Sequence, residues 1–187
     1  LHLFVADRGN HCIRQLRSPG ERPPYVVSHL SGVCGEAGYE DGEEGLYNSP
    51  WAVALSLDGQ RLYVADTGNH CIRQVDLLSQ IASTVAGVCL TPGGQDGLLA
   101  EALFHSPKGL VEIAPGLIVV ADSGNHVLRL VDISSNTVST LVGQMGQQGH
   151  LDGPFEEALL RDPVSIAVQD QRTLYITEGA GNAFRRV

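Results

Sequence analysis

Four segments of this chain repeat one another: Leu3 to Gln15, Leu62 to Gln74, Ile118 to Leu130 and Leu174 to Arg186. Each runs from an apolar strand-like stretch through an acidic residue and a short polar turn into a second stretch that carries an Arg. The acidic anchors Asp7, Asp66, Asp122 and Glu178 stand 59, 56 and 56 residues apart. A second series, Asp41-Gly42 up to Pro50, Asp96-Gly97 up to Pro107 and Asp152-Gly153 up to Pro163, keeps the same beat. A fixed period of this size marks a supersecondary unit that cannot bury its apolar face alone and stacks on copies of itself.

Local patterns within one unit predict four short strands. Trp51 to Leu57 is mostly apolar and ends in the Asp58-Gly59 hairpin signal, so it reads as the buried inner strand. Arg61 to Ala65 forms the second strand, Cys71 to Val75 the third and Ile81 to Val88 the fourth, with Asp66 to Asn69 a turn between second and third. The link to the next unit contains Leu98 to Phe104, which suits one turn of helix before Pro107 stops it. Four antiparallel strands and a longer connector, repeated, make a β-propeller blade; a sandwich would supply the strands but not the strict period. The fold class is therefore all-β, an open arc of about four blades. Blade 1 covers residues 1–49 in part, blade 2 residues 50–106, blade 3 residues 107–162 and blade 4 residues 163–187 in part.

Composition agrees with a globular all-β chain: 43% apolar, 18% charged, with 22 Gly and 9 Pro distributed as turn signals. The net charge is −9, and the twelve basic residues include a single lysine, Lys108. That balance argues against nucleic acid, whose binders gather a basic excess on one face. No apolar run is long enough to span a bilayer, so membrane insertion is not expected. The chain opens mid-pattern and without Met, which reads as a piece of a longer polypeptide.

The stretch Leu62-Tyr-Val-Ala-Asp-Thr-Gly-Asn-His-Cys-Ile-Arg73, preceded by Pro50 and the Asp58-Gly59 turn, resembles the NHL repeat. The resemblance runs along essentially the whole chain and implies a six-bladed parent ring of about 24 strands. We count three, four, four and three strands here, so the remaining blades would come from the parent chain or an oligomeric partner.

The recurring Asp-x-Gly-Asn-His turns place a carboxylate, an amide and an imidazole side by side. They comprise Asp7, Asn10 and His11; Asp66, Asn69 and His70; and Asp122, Asn125 and His126. A group present in every blade reads as architecture, with Asp and Asn satisfying backbone N–H groups and Gly permitting positive φ. The fourth copy drifts, with Glu178, Gly181 and Asn182 at the corresponding places. Arg14, Arg73, Arg129 and Arg185 follow in every copy and should lie across the acidic turn of their own or the next blade. Some peptide-amidating propeller lyases that share this repeat type hold zinc through one His per blade. Here His11, His70 and His126 fall at the second-to-third-strand turn, away from the inner strands, so no metal site is assigned. No catalytic residue or cofactor site is assigned either, since no nucleophile elbow, phosphate-cradling Gly loop or CxxC pair occurs.

Cys12 and Cys71 share one repeat position, at the start of the third strand; Cys34 and Cys89 share another, after the fourth; the third copy has Val127 and Met145 instead. Antiparallel neighbours bring such positions together, which predicts bridges Cys12–Cys34 and Cys71–Cys89. The alternative is four small buried hydrophobes, a coincidence that duplication of blade one into blade two also produces. Bridges would favour an extracellular or secretory compartment. The leading functional expectation is a non-catalytic scaffold that binds protein partners through non-repeated loops such as Ser18 to Pro24 and Gln144 to His150. A metal-dependent lyase or hydrolase at the channel is the alternative, and RNA binding a third, less favoured one.

Overall fold

The computed structural model describes residues 2–18, 25–170 and 173–187. The segment Ser18 to Pro24, named above as a variable loop, lies outside them from residue 19 on. Four antiparallel sheets follow one another along the chain. The first contains β1 (His2–Asp7), β2 (Cys12–Arg17) and β3 (Val26–Ser31); the second, β4 (Ala52–Leu55), β5 (Arg61–Asp66), β6 (Cys71–Asp76) and β7 (Ala82–Ala86). The third adds a two-residue strand, β8 (Gly97–Leu98), to β9 (Pro107–Ala114), β10 (Leu117–Asp122), β11 (Val127–Asp132) and β12 (Thr137–Val142). The fourth contains β13 (Pro163–Asp170), β14 (Thr173–Glu178) and β15 (Ala183–Arg186).

The expected order of strands therefore holds, with one addition. Leu98 to Phe104 makes the single hydrogen-bonded turn expected of it, Ala102 N–H to Leu98 C=O at 2.9 Å. The connector also reaches forward into the next blade: β8 pairs with the outer strand β12, and Gly42 likewise bridges Ala82 of β7. A connector backbone paired to an outer strand covers an edge that would otherwise stay open.

Three apolar clusters fill the seams between consecutive blades. Ile13, Leu30 and Tyr47 pack with Leu62, Val64 and Val75; Ala65, Ile72 and Phe104 with Leu110 and Ile118; and Val119, Leu128 and Leu160 with Ile166 and Ile176. Tyr47, Phe104 and Leu160 each arrive from a connector, so the connector also plugs the seam. Burying an aromatic or leucine side chain in this way contributes about 1.5–3 kcal/mol. Inner strands approach closely: a Cβ on Gly109 of β9 would stand 2.7 Å from the Val164 carbonyl oxygen of β13. The chain direction puts the turns between second and third strands, the connectors and the starts of the inner strands at one end of every blade. We call this end the connector face; the Asp58-Gly59 type hairpins lie at the opposite end.

Candidate functional site

The repeated polar residues form a latch at each seam. Asp66, fully buried, accepts hydrogen bonds from Asn48 N–H, Asn69 Nδ2 and Arg73 Nη1 at 2.8, 2.8 and 3.1 Å. Arg73, also fully buried, uses Nη2 on Asp41 Oδ1 at 2.6 Å and on the Glu40 carbonyl at 2.7 Å, while Nη1 also donates to the Leu46 carbonyl. One guanidinium thus joins its own blade's turn to the connector arriving from the blade before. Arg129 repeats the arrangement with Asp122, Asp96 and the carbonyls of Leu103 and Gln95. Arg185 does so with Glu178, Asp152 and the carbonyls of Leu159 and Leu151. Among the described residues Arg14 meets only Asp7, at 3.4 Å, and remains partly exposed. Burial pushes the Asp66 carboxyl up to about 6 against the pull of its donors, and raises Asp122 for the same reason.

The histidines have a different task from the one their turn position suggested. His11, His70 and His126 adopt left-handed backbone, φ 57°, 60° and 61°, and each ring accepts at Nδ1 a backbone N–H from the next blade's entry segment. The donors are Ser49, Ser106 and Asp162, at 2.9, 3.0 and 3.2 Å. These rings therefore stand beside the starts of the inner strands, not away from them. An accepting Nδ1 requires the neutral ring, and burial lowers the pKa of His70 and of His126.

The turn glycines are corrected too. The residue at positive φ is the His; Gly68 and Gly124 are there because a connector passes against them. A Cβ would lie 2.6 Å from the Asn48 carbonyl at Gly68 and 2.6 Å from the His105 carbonyl at Gly124. Both N–H groups donate to those carbonyls. Asp7, Asn10, His11, Arg14, Asp66, Asn69, His70, Arg73, Asp122, Asn125, His126, Arg129 and Arg185 thus belong to seams between blades or to their own turns, and converge on no common point. Cys12 pairs with Cys34 and Cys71 with Cys89, both at a Cα separation of 5.1 Å, which ties the start of the third strand to the loop leaving the fourth. Among the described residues, no group of three His, Cys, Asp or Glu side chains is placed to hold a metal.

What the copies do not share gathers elsewhere on the connector face. The first inner-strand position after each Pro carries Trp51, Lys108 or Val164; the residue after each acidic anchor is Arg8, Thr67, Ser123 or Gly179. The hydroxyls of Thr67 and Ser123 donate to the carbonyls of Pro107 and Pro163, another seam contact. Arg8 has no hydroxyl to offer there. Its guanidinium lies over the ring of Trp51, 4.5 Å from the centroid, and Lys108 Nζ lies 5.0 Å from the same ring. Lys108 is held by Asp162 at 2.6 Å, and the rings of His70 and His105 stand 5.7 Å apart nearby. The only Trp and the only Lys of the chain therefore meet at the entrance between the inner strands. Sequence reading missed this cluster; the available signal was variation at a fixed repeat position.

Seam latches, connector plugs and consecutive antiparallel sheets of three to five strands define a β-propeller segment of four consecutive blades. Residues 47–75 match the NHL repeat. NHL repeat-containing protein 2 of Homo sapiens is 40% identical over 100 residues, 54% of this chain and 13% of that protein. This chain thus spans about an eighth of the length of that relative. Among solved structures, a structural genomics protein of unknown function from Bacteroides thetaiotaomicron superposes with a TM-score of 0.80 at 22% identity. The match covers 99% of this chain and 44% of that one. An auxiliary nutrient binding protein from the same organism gives 0.73 at 16% identity over the same shares. These structural likenesses show the fold.

Proposed function

We propose that the chain is a non-catalytic recognition scaffold that binds a protein partner on its connector face. The observation that carries this reading is the division of labour between repeated and unrepeated residues. The Asp, Asn, His and Arg of the repeats are committed to seams or to their own turns, whereas Arg8, Trp51 and Lys108 stand at two positions whose residue differs from copy to copy and meet one another on the connector face. A rigid frame with variable positions exposed at one end suits recognition, because little conformational entropy is lost on binding. A neighbour in fold that is an auxiliary nutrient binding protein, and the interaction role general among NHL propellers, support binding over turnover. The paired cysteines favour an oxidising compartment for that encounter.

The test is hydrogen-exchange mapping of a complex captured by the purified chain. Protection is expected at residues 8–11, 49–51, 105–108 and 161–164. A partner still bound after Gln144 to His150 and the Arg8, Trp51 and Lys108 positions have been replaced by residues from other copies would overturn the proposal.

A further inference from the structure

We infer that the Arg8–Trp51–Lys108 cluster recognises a carboxylate on a protein segment, one acidic residue beside an apolar one, flanked by basic residues. This rests on the connector face being a protein-binding surface and names the chemistry it would select. The four arginines at the recurring motif position, Arg14, Arg73, Arg129 and Arg185, bind carboxylates of their own turns. Arg8, at a variable position, does not. Among the described residues its guanidinium makes no hydrogen bond or ion pair; it is exposed, and its contact is the face of Trp51. An aromatic face orients a guanidinium while leaving its fork of N–H donors open, and that fork matches a carboxylate in two parallel bonds. Lys108, ion-paired with Asp162 at 2.6 Å, keeps further N–H donors within about 5 Å of the same ring centroid. Trp51 is partly exposed and offers apolar area for a neighbouring side chain.

The surroundings decide between a carboxylate and a polyanion. Exposed Glu43, Glu44, Glu101, Glu156 and Glu157 lie on the connectors. The connectors run out over the outer strands, where Asp41 and Asp96 accept from the N–H groups of Thr84 and Thr140. A small cationic centre inside an acidic rim repels a nucleic-acid backbone, whose phosphates continue in both directions. It admits a single carboxylate and attracts basic residues on either side of it.

The test uses the intact chain with dodecapeptides selected from a random display library, followed by titration of synthetic peptides read by the fluorescence of Trp51 and by calorimetry. Selected sequences should carry an Asp or Glu next to an apolar residue with Lys or Arg outside it. Arg8→Ala and Lys108→Ala should each weaken binding by about tenfold or more, the scale of one charge-assisted contact. Far-ultraviolet circular dichroism and the melting temperature must stay unchanged in both variants. Peptides that bind equally well to Arg8→Ala would overturn this inference while leaving protein binding intact. A dodecauridylate that binds through Arg8 would overturn it in favour of nucleic acid. If no peptide is retained, both readings fall.

Discussion

Replacing Arg73 by Leu removes a fully buried guanidinium that satisfies two carboxylates and two carbonyls at the seam between blades 1 and 2. Asp66 would be left buried with only Asn48 N–H and the Asn69 amide as donors. Leaving one member of a buried pair uncompensated costs about 3–5 kcal/mol. A loss of that size is a large part of a typical total stability. Arg14→Leu is the internal control: one contact at 3.4 Å, partly exposed, and so worth about 0–1 kcal/mol. Urea titration followed by far-ultraviolet circular dichroism would measure both. The pH dependence adds a second readout. Asp66 already has a folded-state pKa raised to about 6 by burial, and loss of Arg73 raises it further. A raised carboxyl contributes stability that is present below its unfolded value near about 3.9 and lost as pH rises through its folded value. The deficit of Arg73→Leu should therefore be larger at pH 8 than at pH 5. Equal losses for Arg73→Leu and Arg14→Leu, or a deficit that does not change with pH, would refute the latch.

Three further outcomes follow from the blades and their seams. The loops closed by Cys12–Cys34 and Cys71–Cys89, with separations of 22 and 18 residues, correspond to about 3 kcal/mol each by loop-closure entropy; non-reducing peptide mapping should recover both linked pairs, and four free thiols would remove the bridges from the account. Gly68→Ala and Gly124→Ala force a Cβ to 2.6 Å from a connector carbonyl and should cost about 1–3 kcal/mol, whereas Gly9→Ala meets nothing within 4 Å and should be near neutral by thermal melting. His70 has a lowered folded pKa, so its contribution is present above the unfolded value of about 6.5 and is lost as pH falls through the folded value, opposite in sign to Asp66. His70→Ala removes the first effect and keeps the second, so its stability relative to the parent chain should rise between pH 7 and pH 5.5; an unchanged difference would argue against Nδ1 as acceptor.

The strand order and seams were legible because period and apolar pattern report burial directly: Leu62 to Ala65 is fully buried where the pattern demanded it. The architectural role of the Asp-x-Gly-Asn-His turns was legible for the same reason, since recurrence in each blade excludes a unique site. Three things were not legible from one strand pattern. The left-handed residue of the turn is His and not Gly, because the close approach of a connector claims the glycine position. Asp41, Asp96 and Asp152 look like turn punctuation beside their glycines, yet they are the second carboxylates on the latch arginines, more than thirty residues away. Arg8, Trp51 and Lys108 come from three different repeats and become neighbours only when the inner strands converge.

The most direct test of the division between frame and site is to measure stability and peptide binding on the same four variants: Arg8→Ala, Lys108→Ala, Arg73→Leu and Gly68→Ala. The first two should keep the melting temperature of the parent chain and lose binding, while the last two lose melting temperature and, at a temperature where they remain folded, bind as the parent does. A folded Arg73→Leu or Gly68→Ala chain that melts normally and fails to bind would contradict that division.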